Sequence, residues 1–185
     1  MSTPNEILDF WFTETNPARW FKPTDAFDAN LRARFETAAL MLAGEMRSNK
    51  PHKWEVKPNY ALALIIVLDQ FPRHMYRGTK GAYAWDNLAL DVAKRLCENN
   101  RDLKIEQSRR NFIYMPFMHS ENLDDQNRCI KLVDSRLDDA STLHHAKEHA
   151  RLIERFGRFP HRNKILGRQS TAEEIAFLNS GGYAP

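Results

Sequence analysis

Two cysteines, Cys97 and Cys129, are all that the chain has, and they are too few and too far apart for a disulfide scaffold or a zinc knuckle. They fall in predicted helices at apolar or half-apolar positions and read as packing thiols. Charge of one sign is also scarce: 27 Lys and Arg against 24 Asp and Glu leave a formal +3. That falls short of the basic face of a nucleic-acid binder, so nucleic acid is not an expected partner. Long hydrophobic runs are absent. The longest, Tyr60 to Leu68, stops at Asp69 and is well under the roughly 20 residues that span a bilayer. The N-terminal MSTPNEILDFWF lacks a basic segment ahead of an apolar one. No membrane partner is expected, and the default location is cytoplasmic. No repeat recurs at a fixed period.

What remains is an ordinary globular composition, 42% hydrophobic and 28% charged over 185 residues, enough for one domain spanning the chain. Glu6 to Phe12 predicts a short helix. Phe27, Leu31, Phe35, Ala38, Leu42 and Met46 recur at helical spacing after Thr24, a suitable N-cap, and carry a long helix to about Arg47. A polar exit loop follows from Ser48 to Lys57. Pro58 to Phe71 is apolar on nearly every side and predicts a central helix that Pro72 ends. Tyr83 to Leu96 predicts another, closed by Asn99-Asn100. Ile105 to Met115 stops at Pro116. A helix from Asp124 or Asp125 precedes one from Asp138-Asp139 to Phe156, capped by Gly157. Ser170-Thr-Ala-Glu173 reads as a capping box for the last. The expected fold is all-α: eight or so helices in antiparallel hairpins.

Three polar stretches interrupt this apolar framework. Residues 151–170 hold five arginines (Arg151, Arg155, Arg158, Arg162, Arg168), Lys164 and a Gly/Pro-shaped turn. The second is Asp69-Gln-Phe-Pro-Arg73 with Arg77, and the third is His119-Ser-Glu121 after Pro116. His145, His149, Leu152 and Phe156 share one helical stripe, which points His149 and His145 inwards.

These motifs resemble a bacterial family known as domain of unknown function 924. The resemblance covers nearly the whole chain and is carried by Leu8-Asp-Phe-Trp-Phe12, Leu68-Asp-Gln-Phe-Pro-Arg73 with Arg77-Gly-Thr79, Pro116-Phe-Met-His-Ser-Glu121, and Phe156-Gly-Arg-Phe-Pro-His-Arg-Asn163 with Leu166-Gly-Arg168. It implies stacked, tetratricopeptide-like helix pairs and brings no activity with it. His74 stands where the family pattern has asparagine.

The function these residues favour is an Arg/His-lined cleft for an anionic small molecule, a carboxylate or phosphate, which arginine's planar donor fork suits. Asp69, Arg73, Arg77, His149, Arg158, Arg162 and Arg168 form the expected binding set. His119, Glu121 and His161 are the expected acid/base groups, with histidine pKa values that arginine neighbours lower. Asp69 at the edge of an apolar run needs a partner. It is either an ion pair fixing the turn or a group orienting a ligand-binding arginine. His119, Glu121, His149 and His161 include zinc-type donors, but no local spacing matches a metal motif and no metal is expected. The rivals are a helical adaptor that binds a peptide or protein, and purely structural ion pairing by the arginines. Trp11, Phe12, Trp20 and Phe21 could in part cover a homodimer partner, with core packing the favoured use. No cofactor is specified, and whether the chain is an enzyme is open.

Overall fold

The computed structural model describes residues 2–46 and 50–184. Among these the regular structure is all helical, without strands. Helix α1 (Pro4–Asp9) begins with a capping box in which Thr3 and Glu6 exchange side-chain and backbone hydrogen bonds. It runs into a π-turn over Phe10–Glu14, followed by the short α2 (Ala18–Phe21). Helix α3 (Asp25–Met46) opens with Thr24 Oγ1 accepting from the Phe27 amide at 3.3 Å, the expected cap. Its expected last residue and the start of the exit loop fall on 47–49, outside the described residues. The remainder of that loop contains a 3-10 turn at Lys53–Val56.

The central rod is α4 (Pro58–Ile65), a π-turn (Ile66–Gln70) and α5 (Phe71–Met75). Every residue from Ala61 to Pro72 is buried. Pro72 does not end it, contrary to expectation. In the π-turn the Phe71 amide reaches back five residues to the Ile66 carbonyl, and Pro72 then occupies the first turn of α5. A proline is tolerated there because its missing N–H has no helical partner to lose. The same turn rotates Asp69 and Gln70 away from the register that α4 would give them.

Helices α6 (Asp86–Cys97) and α7 (Gln107–Met118) pack on this rod. Pro116 lies inside α7, two residues short of its end, so it removes one bond and the helix continues past it. Helix α8 (Leu123–Arg136) packs against α7 and against α9 (Ala140–Phe156), each connected to the next by a short link. Asp139 caps α9 at one end, and Gly157, at φ 69°, closes it in the left-handed conformation that glycine adopts without strain. After α10 (Asn163–Leu166), the last helix, α11 (Ala172–Asn179), is capped one residue later than expected. Thr171 and Glu174 form the box, while Glu173 faces solvent and pairs with Arg155. Both registers fit the S/T-x-x-E pattern. Burial of Glu174 decides between them.

The main core joins Trp11, Leu62, Leu64, Ile65, Phe71, Phe112 and Phe117, all with at most 1% exposure. Phe12 and Trp20 pack on Phe112 at ring separations of 5.5 and 5.0 Å, while Phe21 remains exposed. Phe159, Leu152 and Ile153 form a second cluster under Phe177 and Tyr183. No helix among the described residues is long and apolar enough to cross a membrane.

Candidate functional site

Asp69 has no exposed surface, and the π-turn aims its carboxylate at the C-terminal end of α7. There His119 presents Nδ1 to Asp69 Oδ1 at 2.7 Å. Gln70 Nε2 donates to Asp69 Oδ2 at 2.5 Å, and Arg73 Nη1 lies 3.3 Å from Oδ1. Burial alone would raise the Asp69 pKa; Arg73 and His119 outweigh it and hold the group at about 2. Asp69 is therefore an acceptor, and Nδ1 of His119 must carry the proton. Burial and then Arg73 lower the His119 pKa, keeping the ring neutral. Its Nε2 has no partner among the described residues, and the side chain keeps 16% exposure. A neutral imidazole oriented by a buried carboxylate, with its second nitrogen free, is the arrangement of a general base.

Two arginines flank this pair. Arg73 donates to the Asp69 carbonyl at 2.5 Å and grips Asp86, in the first turn of α6, through two bonds of 2.9 and 3.1 Å. Arg162 comes from the turn after α9. Its Nη1 donates to the His119 carbonyl at 3.1 Å and lies 3.5 Å from Asp86 Oδ2, a carboxylate already occupied by Arg73. The guanidinium packs over the rings of Tyr83 at 4.7 Å and Phe159 at 4.4 Å. With 7% side-chain exposure, its Nε is buried without a hydrogen-bond partner, and Nη2 has none among the described residues. Burial pushes the guanidinium pKa down from its usual value.

Two further histidines stand in the field of Arg162. His149 donates Nδ1–H to the His145 carbonyl at 2.8 Å and meets Phe159 and Tyr183 edge-on. Burial brings it to about 3. His161 is brought to about 4 by burial and then by Arg162, and its Nδ1 is buried and unpartnered. His145 is exposed rather than inward, because its position on α9 faces the C-terminal segment, where its Nδ1 meets the Tyr183 hydroxyl at 2.9 Å.

The three polar stretches thus meet, with two exceptions. Arg77 pairs with Asp28 of α3 at 3.0 and 3.2 Å, beside His74, and makes no contact with His119 or Arg162. Arg158 grips Glu174 at 2.6 and 2.8 Å and ties α11 down, drawing the Glu174 pKa to about 2. Glu121 and Arg168 adjoin the site but are mutually engaged at 2.6 and 2.9 Å, and Glu121 also accepts the Phe159 amide at 2.8 Å. They fix the turn that delivers Arg162. Two contributors escaped the sequence reading. Tyr83 falls within the predicted helix, yet it sits in a 3-10 turn (Lys80–Tyr83) ahead of α6 and faces both arginines. Asp86 reads from sequence as nothing more than a helix-start acid. Among the described residues, no group of three or more His, Cys, Asp or Glu side chains is placed to hold a metal ion.

A family described as bacterial protein of unknown function (DUF924) matches residues 7–182. The chain belongs to this family. It is similar in structure to a protein of unknown function from Agrobacterium tumefaciens, ATU0120, with 39% identity and a TM-score of 0.86, over 96% of this chain and 97% of that one. No curated protein matches the chain. The DUF924 match includes every residue of the Asp69–His119–Arg162 group.

Proposed function

We propose that this DUF924 protein binds an anionic small molecule at Arg162 and exchanges a proton with it through His119. One observation carries the reading: a buried guanidinium, packed against two rings, leaves the edge formed by Nε and Nη2 without an acceptor. A buried unpaired donor costs about 1–3 kcal/mol, and more when it is charged, so a carboxylate or phosphate oxygen at that edge is strongly favoured. His119 follows Arg162 into the site through the carbonyl that Nη1 grips, and Asp69 fixes its proton on the side away from the free Nε2. The rival, a tetratricopeptide-like adaptor, calls for arginines exposed along a groove. Arg162 is buried, and Arg158 and Arg168 are committed to Glu174 and Glu121, so that reading has less support.

Calorimetric titration with benzoate and phenyl phosphate tests the proposal. The wild-type protein is expected to bind at least one of them, with at least a tenfold loss of affinity in Arg162→Gln. The bound anion favours the imidazolium form of His119, so binding at pH 6 takes up a proton, read from the dependence of the heat on buffer ionisation enthalpy. His119→Gln should keep the affinity within about threefold and lose the uptake. Absence of binding, or an affinity indifferent to Arg162→Gln, would contradict the reading.

A further inference from the structure

We infer that the anion taken by Arg162 is a planar monocarboxylate and not a phosphate; this rests on the anion-binding reading above and narrows it. The first ground is charge. Arg73 and Arg162 contribute two positive charges, and Asp69 and Asp86 two negative. Glu121 and Arg168 cancel each other. His119, His149 and His161 all have lowered pKa values and are neutral at pH 7. The group is balanced before any ligand arrives. Arg162 is the one member whose carboxylate is both distant, at 3.5 Å, and already doubly bonded to another arginine. A single negative charge placed on Arg162 restores a close pair. A dianion leaves one more negative charge uncompensated than a monoanion does, in a place where burial makes unpaired charge costly.

The second ground is shape. Nε and Nη2 present two parallel N–H bonds in one plane, the side-on fork that matches the two oxygens of a carboxylate. The rings of Tyr83 and Phe159 lie against the guanidinium at 4.7 and 4.4 Å, and Nε itself is buried, so the room at this edge is narrow. A carboxylate enters such an edge lying flat. A tetrahedral phosphate places oxygens outside that plane and needs more room than a flat carboxylate. Nδ1 of His161, the chain neighbour of Arg162, is buried and unpartnered, and its neutral ring adds no charge to attract a dianion.

The test uses wild-type protein with 15N-labelled arginine and follows the Nε–H signal of Arg162, assigned through its own backbone without a variant. Four probes are titrated at pH 7.5: benzoate, benzamide, inorganic phosphate and phenyl phosphate. Benzoate is expected to move the signal saturably, with an affinity at least tenfold above that of either phosphate, and benzamide to leave it in place. Equal or tighter binding by phosphate or phenyl phosphate overturns the inference while leaving anion binding at Arg162 intact. A response to benzamide equal to that of benzoate overturns it by showing that the ring is recognised and not the charge. No response to any anion overturns both this inference and the anion-binding reading beneath it.

Discussion

Asp69 is a carboxylate with no exposed surface, kept ionised by Arg73, His119 and Gln70. Around it the imidazoles go the other way: burial depresses His149 to about 3 and His161 to about 4, and lowers His119 and His74 as well. The sign for stability follows. Between these values and the ordinary histidine pKa near 6.5, the unfolded chain binds protons that the folded chain refuses, so stability falls as pH drops through 6.5. The depressed carboxylates Asp69 and Glu174, both at about 2, lose their contribution only below the ordinary carboxylate range near pH 4.5, which leaves the window above pH 5 to the histidines. Urea unfolding at pH 7 and pH 5 is expected to show a loss on acidification to which His149 contributes about 1–2 kcal/mol. In His149→Phe the loss shrinks by that amount. A pH-independent stability across this window would contradict the burial of neutral imidazoles.

Residue chemistry was the most legible part of the sequence. Asp69, Arg73, His119, Glu121, Arg162 and Arg168 are polar groups at turns between apolar helices, and the fold brings all six together. Which cation pairs with which anion was not legible. Arg77 and Arg162 look alike in sequence, but their partners lie far along the chain, at Asp28 and Asp86, and only the packing of α3 and α6 decides them.

At the scale of elements, the helix ends with strong local signals came out as read: Thr24 and Asp139 cap α3 and α9, and Gly157 closes α9. Pro72 and Pro116 did not, because a hydrophobic pattern records which side of a helix is buried and carries no trace of a π-turn that re-registers it. That unread turn is what brings Asp69 to His119. The capping register of α11 was equally hidden, since it depends on Glu174 finding Arg158 and Asn163. Removing the cap by Thr171→Ala should destabilise α11 locally by about 1 kcal/mol. Hydrogen exchange is expected to quicken in residues 172–179 while α4 and α7 keep their protection. Uniform quickening along the chain would mean that α11 does not open on its own.

For the molecule as a whole, α4, the π-turn and α7 form a rigid apolar interior, and the α9–α10 turn lays Arg162 and Phe159 across one end of it. The Glu121–Arg168 pair and the Arg158–Glu174 pair lock that turn from outside. Five arginines that a sequence reading places in one anion site thus divide by role. Arg77, Arg158 and Arg168 hold elements together, Arg73 holds Asp69 and Asp86, and Arg162 alone of the five keeps a free donor edge among the described residues. The central claim is that this edge is a ligand site, and a crystal structure of the protein grown with benzoate tests it most directly. The account predicts a carboxylate in the plane of the Arg162 guanidinium, its oxygens on Nε and Nη2, beside the free Nε2 of His119. Benzoate bound elsewhere, or an Arg162 edge turned away and paired with protein groups alone, would contradict it.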